Sequence, residues 1–303
     1  MSTIAALGAL ESGLVFALVA FGVFLSFRIL EFPDLTVDGS FPLGAAVTAV
    51  MIVSGVDPWL STFAAFFAGM LAGIVTAYMN TKLGILNLLA SILTMIALYS
   101  INLRIMGKPN IALLGETTIL SPTDDWSIPY YVSTPLVFSV IVLILFVLLL
   151  KFLNSRSGLA MRATGANDRM ARSQGINTDL MIILGMAVSN GLVGLAGSLF
   201  AQSQGSADIT MGVGVIVIGL ASVIGGEAII SPKTMLLALL ACVVGSIMYR
   251  FAIALALNAD FIGLKAQDLN LVTAVLVAFA IVAPKLKAKI SQQFSKPNQQ
   301  RKS

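Results

Sequence analysis

Long apolar stretches, separated by short polar intervals, recur along almost the whole chain. A membrane helix needs about 20 consecutive, mostly apolar residues, and about nine stretches come near that length. They lie near residues 8–27, 41–55, 59–79, 85–105, 131–152, 179–200, 211–229, 233–256 and 267–283. The pattern therefore predicts an all-α, polytopic membrane protein with about nine transmembrane helices, within a range of eight to ten.

The second and seventh stretches are short, and polar residues interrupt the apolar pattern beside them. The charged side chains ahead of the second stretch are Arg28, Glu31, Asp34 and Asp38. Non-helical backbone at membrane depth is tolerated only where protein or water covers it. We therefore predict broken or re-entrant helices near residues 28–45 and 205–230.

Small residues recur within the predicted spans, for example at Gly69 and Gly73 in the third span. Glycine lets two helix backbones approach closely in lipid, where no hydrophobic driving force holds helices together. The spacing therefore predicts tight helix packing at these positions.

Composition agrees with a membrane protein and argues against an enzyme. The 303 residues are 58% hydrophobic and 11% charged, whereas about a quarter of the residues in a soluble domain are charged. The absence of histidine excludes Ser/His and Cys/His catalytic pairs and removes the commonest zinc ligand. The one Gly-Lys pair, Gly107-Lys108, precedes a proline, so the chain lacks a phosphate-binding loop for ATP. Cys242 lies in an apolar run and is predicted to be a small buried residue.

The basic residues predict the orientation of the spans, because loops rich in Lys and Arg stay on the cytoplasmic side. The two richest segments are the loop from Lys151 to Arg172 and the segment after Pro284. With nine spans, both lie inside only if the amino terminus is outside. We therefore expect a multi-pass protein of the bacterial cytoplasmic (inner) membrane with a cytoplasmic carboxyl terminus. No Lys or Arg precedes Arg28, so the first span is expected to remain in the mature protein.

A transmembrane domain over residues 1–284 and a short tail over residues 285–303 account for the whole chain. The tail contains six Lys or Arg, several glutamines and no acidic residue. This composition predicts a disordered cytoplasmic segment that lies near anionic membrane lipid.

The longest polar interval on the predicted cytoplasmic side lies between the fifth and sixth spans, at residues 153–178. Asn167 is a good N-cap, Asp168 places a negative charge in the first turn of a helix, and Gly175 suits the left-handed position after its end. These residues predict a short helix over 168–174.

The predicted short helix has one small apolar face, on which Met170, Ala171 and Gln174 lie together. A helix this short is marginal in water on its own. We therefore expect it to dock on a protein partner or to pack on the ends of its own spans.

This loop resembles the coupling-helix loop of the membrane-spanning subunits of ABC importers, in the branch that includes the branched-chain amino acid and ribose permeases. The similar residues are Gly158, Ala163-x-Gly165-x-Asn167 and Ala171-x-x-x-Gly175-Ile176. Other similar segments are Asp34 to Ser40, Lys82 to Gly107 and Val215 to Gly226. The chain departs from this branch at Asp38 and Glu227, where small or neutral residues are expected.

The resemblance implies a transport subunit without its own ATPase site. It implies a homodimer of this chain that assembles with two ABC ATPase subunits and one extracytoplasmic binding protein. ATP and Mg²⁺ would be bound by the ATPase, while this chain would bind no cofactor, metal or nucleic acid. The ATPase-coupling residues implied by the resemblance are Ala163, Gly165, Asn167, Asp168, Met170, Ala171, Gly175 and Ile176. The implied substrate is a small solute, with an amino acid, including an aromatic one such as tryptophan or tyrosine, favoured over a sugar or nucleoside.

Two groups of polar residues within the spans are candidates for the translocation path. Asn87, Ser91 and Thr94 fall on one face of the fourth span, and Ser189 and Asn190 lie within the sixth. Such side chains line a transient water-filled path or form hydrogen bonds between packed helices. The sequence leaves both interpretations open.

Two other function classes make different demands on the spans. An ion-coupled secondary transporter is expected to place ionisable groups near the centre of the bilayer, and the centres of the predicted spans are nearly free of them. An intramembrane aspartyl enzyme needs two facing carboxylates, which no pair of predicted spans offers.

Overall fold

The computed structural model of the chain describes residues 3–123 and 129–257 and two isolated positions, Val275 and Ala278. Its α-helices are α1 Thr3–Val23, α2 Val37–Val53, α3 Pro58–Thr81, α4 Asn87–Met106, α5 Tyr130–Leu153, α6 Arg156–Ala166, α7 Asp168–Ser173, α8 Thr178–Gln204, α9 Val215–Ile229 and α10 Met235–Leu257. A π-helical turn, Phe24–Ile29, continues α1, and 3₁₀ turns cover Ser121–Thr123 and Ile209–Gly212. Strands β1 Asn110–Ala112 and β2 Ser206–Asp208 pair antiparallel, with Ile111 opposite Ala207.

The described helices confirm a multi-pass, all-α membrane protein. Seven helical segments are long and apolar enough to cross a membrane, and α2 is a shorter apolar helix. They correspond to the first eight predicted spans. The ninth predicted span, 267–283, lies outside the described residues except for the two isolated positions, so the predicted total of about nine helices is not confirmed. The predicted tail, 285–303, also lies outside them.

The chain is interrupted in both regions where the sequence predicts a break. Between α1 and α2 it leaves the helical conformation at residues 30–36, and between α8 and α9 it forms β2 and a 3₁₀ turn. Helices α2 and α9 contain 17 and 15 residues. At about 1.5 Å per residue, each α-helix alone is shorter than the hydrocarbon core of a bilayer, which is about 30 Å thick. The 3₁₀ turn before α9 lengthens that segment to Ile209–Ile229, which is long enough to span.

Helix α8 lies at the centre of the bundle and packs against α1, α2 and α3, while α10 packs against α1 and α9. The apolar core between them contains Phe16, Phe21 and Phe41. Cys242 is buried in the same core, as predicted.

The glycines of α3 allow its backbone to lie directly on α8. A Cβ atom at Gly69 would collide with the carbonyl oxygen of Asn190, and a Cβ atom at Gly73 would collide with that of Met186. Neither neighbour is a flexible side chain that could move aside. The predicted tight packing at these two positions is confirmed.

Candidate functional site

The loop between α5 and α8, residues 153–178, folds into the two short helices α6 and α7. We call it the coupling loop. The Ser155 hydroxyl accepts a hydrogen bond from the Gly158 amide at the start of α6. The Asn167 side-chain oxygen accepts a hydrogen bond of 3.0 Å from the Met170 amide at the start of α7. The predicted N-cap of the short helix is therefore confirmed.

The end of α7 also follows the prediction, because Gly175 has the left-handed backbone with φ of 82°. The Ile176 amide donates to the Ala171 carbonyl at 3.1 Å, and the Gly175 amide donates to the Arg172 carbonyl at 3.0 Å. This pair of hydrogen bonds is a Schellman motif, which satisfies carbonyl groups at a helix end.

Two residues of the predicted apolar face of α7 differ in exposure. The Met170 side chain is 62% exposed, whereas Ala171 is only 3% exposed. Helix α7 packs on α6 and on α8, and Ala171 lies on the side that these contacts cover. An incoming partner can therefore contact Met170, but Ala171 fixes the helix to its own protein.

Gly165 also faces the interior of the protein. A Cβ atom at this position would collide with the carbonyl oxygen of Ile29 and would lie 3.0 Å from the Cα atom of Leu30. Helix α6 thus rests on the π-helical turn at the end of α1. Of the other residues implied in coupling, Ala163 and Ile176 are half-buried, whereas Asn167 and Asp168 are exposed.

A chain of ion pairs joins α7 to the start of α8 and to the turn after α3. Arg172 contacts Asp168 at 3.1 Å and Asp179 at 3.0 Å, and Lys82 contacts the other Asp179 oxygen at 3.0 Å. The hydrogen bond to Asp168 raises the pKa of the Arg172 guanidinium. Arg172, Asp168 and Lys82 are exposed, so solvent screens these pairs and they contribute little to stability.

A second polar group lies inside the bundle, half-way along α8. Asp34 is fully buried, and its carboxylate accepts hydrogen bonds from the Asn190 side chain at 2.7 Å and from the Thr36 amide at 2.9 Å. The Ser40 hydroxyl donates to the Asn190 side-chain oxygen at 2.7 Å.

Three threonine hydroxyls extend this group across α2, α3 and α4. Thr36 and Thr76 lie 2.8 Å apart, and Thr76 donates to Thr94 at 2.9 Å. We call the connected side chains the polar network; its members are Asp34, Thr36, Ser40, Thr76, Thr94 and Asn190. It connects three consecutive helices, α2, α3 and α4, and the link before α2 to the distant helix α8.

The sequence did not reveal Asp34 as a buried residue of the bundle centre. Asp34 lies between two predicted spans, and only the fold returns this segment to the level of Asn190. A buried carboxylate is expensive unless it is hydrogen-bonded. In the sequence, the available signal for this burial was the presence of an acidic residue in the short non-helical link before α2.

The candidate path residues are engaged in hydrogen bonds within the bundle. Ser91 and Thr94 are buried, and their face of α4 turns towards α3. Asn87 bonds to Asn80, and the Ser189 hydroxyl donates to the Gly22 carbonyl at 2.7 Å. This geometry favours the packing interpretation over the path interpretation, and a role of these residues in translocation stays a prediction.

Two further features of the described residues bear on ligands. Thr94 lines an otherwise largely apolar groove of about 530 Å³ between α2, α3 and α4. In the part of the chain that the structure describes, no group of three or more His, Cys, Asp or Glu side chains could hold a metal ion.

Comparison with known proteins identifies the family. A family model described as "Branched-chain amino acid transport system / permease component" matches residues 5–283. A tyrosine transport system permease protein of Clostridioides difficile is 38% identical over 268 residues, which cover 88% of this chain and 87% of that protein. An uncharacterized protein of Rickettsia prowazekii is 36% identical over 283 residues, or 91% of this chain and 96% of that protein. A galactofuranose transporter permease protein of Escherichia coli is 28% identical over 179 residues, or 58% of this chain and 50% of that protein. The chain therefore belongs to the family of branched-chain amino acid transport system permease components, and it is a membrane-spanning transport subunit of the ABC type rather than an enzyme.

Proposed function

We propose that this permease imports a small solute, most favourably an amino acid, in an ATP-driven complex. The observation that carries the proposal is the coupling loop, which extends beyond the membrane-spanning helices with Met170 and Leu159 exposed. Large apolar side chains exposed on a capped, ordered loop are typical of a docking surface. The relative named for tyrosine transport supports an amino acid substrate. The proposed substrates include aromatic amino acids. The relative named for galactofuranose keeps a sugar as the alternative among ABC substrates, and a nucleoside remains a further alternative.

The proposed complex contains two copies of this chain, two ATPase subunits that bind ATP and Mg²⁺, and one extracytoplasmic binding protein. Around Met170, the exposed residues Arg156 and Arg169 give the coupling loop positive charge, so a partner with an acidic rim would fit it. We place this loop and the carboxyl terminus in the cytoplasm and the amino terminus outside the bacterial inner membrane, because basic loops stay inside.

Buried Asp34 raises the alternative of an ion-coupled secondary transporter, since intramembrane carboxylates often carry protons or sodium ions. Its two oxygens already accept hydrogen bonds from Thr36 and Asn190, which supports a structural role. The two mechanisms differ in their energy source, and this difference can be measured.

The test is uptake into liposomes that contain the permease with its ATPase, with loaded binding protein outside. Radiolabelled tyrosine, leucine and galactofuranose are compared, with and without internal ATP, and with a proton or sodium gradient instead of ATP. We expect ATP-dependent uptake of an amino acid. Uptake driven by an ion gradient without the ATPase would contradict the proposal and favour a secondary transporter.

The docking surface is tested in the same complex with Met170→Glu. A buried interface charge without a partner costs several kcal/mol, about 3 kcal/mol or more, so this variant should lose the ATPase during purification. Leu114→Glu is the control, because Leu114 is 86% exposed and lies beyond β1, far along the chain from the coupling loop. Normal ATPase binding by the Met170 variant would place the docking surface elsewhere.

A further inference from the structure

Two acidic residues, Asp38 and Glu227, both hold helix α9. Asp38 acts at its amino-terminal end. One Asp38 oxygen accepts a hydrogen bond from the Ile216 amide at 2.8 Å, and the other accepts one from the Gly214 amide at 3.2 Å. The N-cap residue of α9 is Gly214, which has no side chain to satisfy the free amides of the first turn. Asp38, on α2, supplies the missing cap.

Glu227 acts at the other end of α9. Both of its oxygens accept hydrogen bonds from the Arg28 guanidinium, in a two-point ion pair. Glu227 is the more enclosed partner, with its side chain 13% exposed against 52% for Arg28. A two-point pair of Arg with a carboxylate fixes orientation as well as distance. Arg28 therefore holds the last turns of α9 against the end of α1.

One short piece of chain supplies both partners of α9. Arg28 and Asp38 delimit residues 28–38, which we call the linker segment. Its first residues belong to the π-helical turn, and Glu31 has a left-handed backbone with φ of 52°. A π-helical turn and a non-glycine residue at positive φ are uncommon conformations that often mark functional sites. The linker segment is thus bound to α9 at two points while it lacks the regular structure of a continuous helix.

The coupling loop rests directly on the linker segment. Gly165 of α6 lies so close to Ile29 that no Cβ atom fits between them, and Met161 and Leu30 meet at Gly185 on α8. Met161 is fully buried and Leu30 is 7% exposed. Displacement of α6 would press on backbone at Ile29 rather than on a flexible side chain, and close-packed contacts transmit displacement.

From these contacts, we infer that Asp38 and the Arg28–Glu227 pair are positioning residues for transport, which make α9 follow movements of the coupling loop through the linker segment. This inference rests on the proposed function, because it takes an ATPase as the source of the movement. The pair and the cap act on the position of α9, and none of the three residues needs to touch the solute.

The first experiment compares uptake with ATP hydrolysis in liposomes that contain the complex. We expect Arg28→Gln and Glu227→Gln each to lower solute imported per ATP hydrolysed by about tenfold, the size expected for contacting groups of one ion-pair network. The double variant should be no worse than either single variant, because the pair acts as a unit.

Asp38→Ala should also uncouple uptake from hydrolysis. Asp38→Asn should restore part of the coupling, since an amide oxygen still caps a helix. Lys233→Gln is the matched control, because it removes one exposed positive charge just beyond α9.

The second experiment reports on the position of α9 itself. Val217 lies on α9 and is 37% exposed. With Cys242 replaced by Ala, Val217→Cys introduces a single thiol whose rate of reaction with a maleimide is measured with and without ATP on the partner. We expect ATP to change this rate in the otherwise unaltered complex, and we expect the change to disappear in the Arg28→Gln, Glu227→Gln double variant.

The outcomes separate the inference from the proposed function. Absence of ATP-dependent uptake by the unaltered complex would contradict the proposed function. Normal uptake per ATP in the variants, or an ATP-dependent thiol rate that persists in the double variant, would overturn the inference alone. Failure of the variants to assemble with the ATPase would also overturn it, because the residues would then be needed to form the complex rather than to position α9 within it.

Discussion

The coupling loop and the polar network are both built from polar side chains, but their contacts span very different distances along the chain. In the loop, Asn167 caps the Met170 amide three residues away. In the network, Asn190 bonds to Asp34, which is 156 residues away, and Ser40 bonds to Asn190 over 150 residues. Local contacts can form wherever the chain turns, whereas distant contacts form only after the bundle has assembled. The ends of α7 therefore follow from the local sequence, whereas the network exists only because of the fold.

The coupling loop and the polar network differ in solvent exposure, so their polar contacts contribute differently to stability. The ion pairs of Arg172 lie at the surface, where solvent and salt screen them and each contributes little to stability. The Asp34 carboxyl group is fully buried, and a buried polar group that loses its hydrogen-bond partner costs about 1–3 kcal/mol. We therefore expect changes in the network to affect stability, and changes in the loop to affect coupling to the partner.

The largest expected effect follows from Asn190→Ala. This change removes the side-chain amide that donates to Asp34 and accepts from Ser40. We expect the free energy of unfolding to fall by about 3 kcal/mol, because buried Asp34 and buried Ser40 both lose a hydrogen-bond partner. The measurement is thermal unfolding of the purified permease in detergent.

Ser189→Ala is the control for this prediction. Ser189 is a buried neighbour on the same helix and makes one ordinary hydrogen bond, to the Gly22 carbonyl. Its loss should cost about 1 kcal/mol. Equal destabilisation by the two variants would mean that Asp34 does not depend on Asn190.

The sequence predicted the helices well because lipid imposes a simple rule on them. Every backbone group in the hydrocarbon core must be paired, so an apolar stretch of about 20 residues becomes a helix. The apolar run near 131–152 became α5, Tyr130–Leu153, with hardly any change of its bounds. The ends of α7 were equally predictable, because Asn167 and Gly175 act on their own turns.

The features that the sequence did not predict depend on contacts between distant parts of the chain. The apolar face of α7 was expected either to dock on a partner or to pack on the chain's own spans. Helices α6 and α8 cover Ala171, and helical periodicity alone could not choose between the two. Asp38 and Glu227 appeared as departures from the family pattern, and their roles became visible only when α9 was seen against α1 and α2. Pairings across the bundle leave no local signal in one sequence.

A smaller effect, confined to the loop, is expected from Gly175→Val. A β-branched residue in the left-handed conformation costs about 1–2 kcal/mol, so the end of α7 should open locally while the bundle stays folded. Hydrogen exchange at the Gly175 and Ile176 amides should become faster, and ATP hydrolysis should respond less to loaded binding protein. Gly175→Asn should restore most of the protection from hydrogen exchange and most of the response of ATP hydrolysis, because asparagine tolerates this conformation. Loss of global stability instead would show that the loop and the network are not independent.

The smallest expected effect is that of Thr94→Val, which keeps the shape of the side chain and removes its hydroxyl. Thr94 is 4% exposed and accepts a hydrogen bond from Thr76, which also lies within hydrogen-bonding distance of Thr36 and the Ala72 carbonyl. Because Thr76 keeps other partners, we expect a loss of about 0.5–1 kcal/mol in unfolding free energy. Uptake and its KM should not change if the hydroxyl serves packing alone. Reduced uptake at unchanged stability, with the ATPase still bound, would instead place this face of α4 in the translocation path, and the polar network would then serve transport as well as stability.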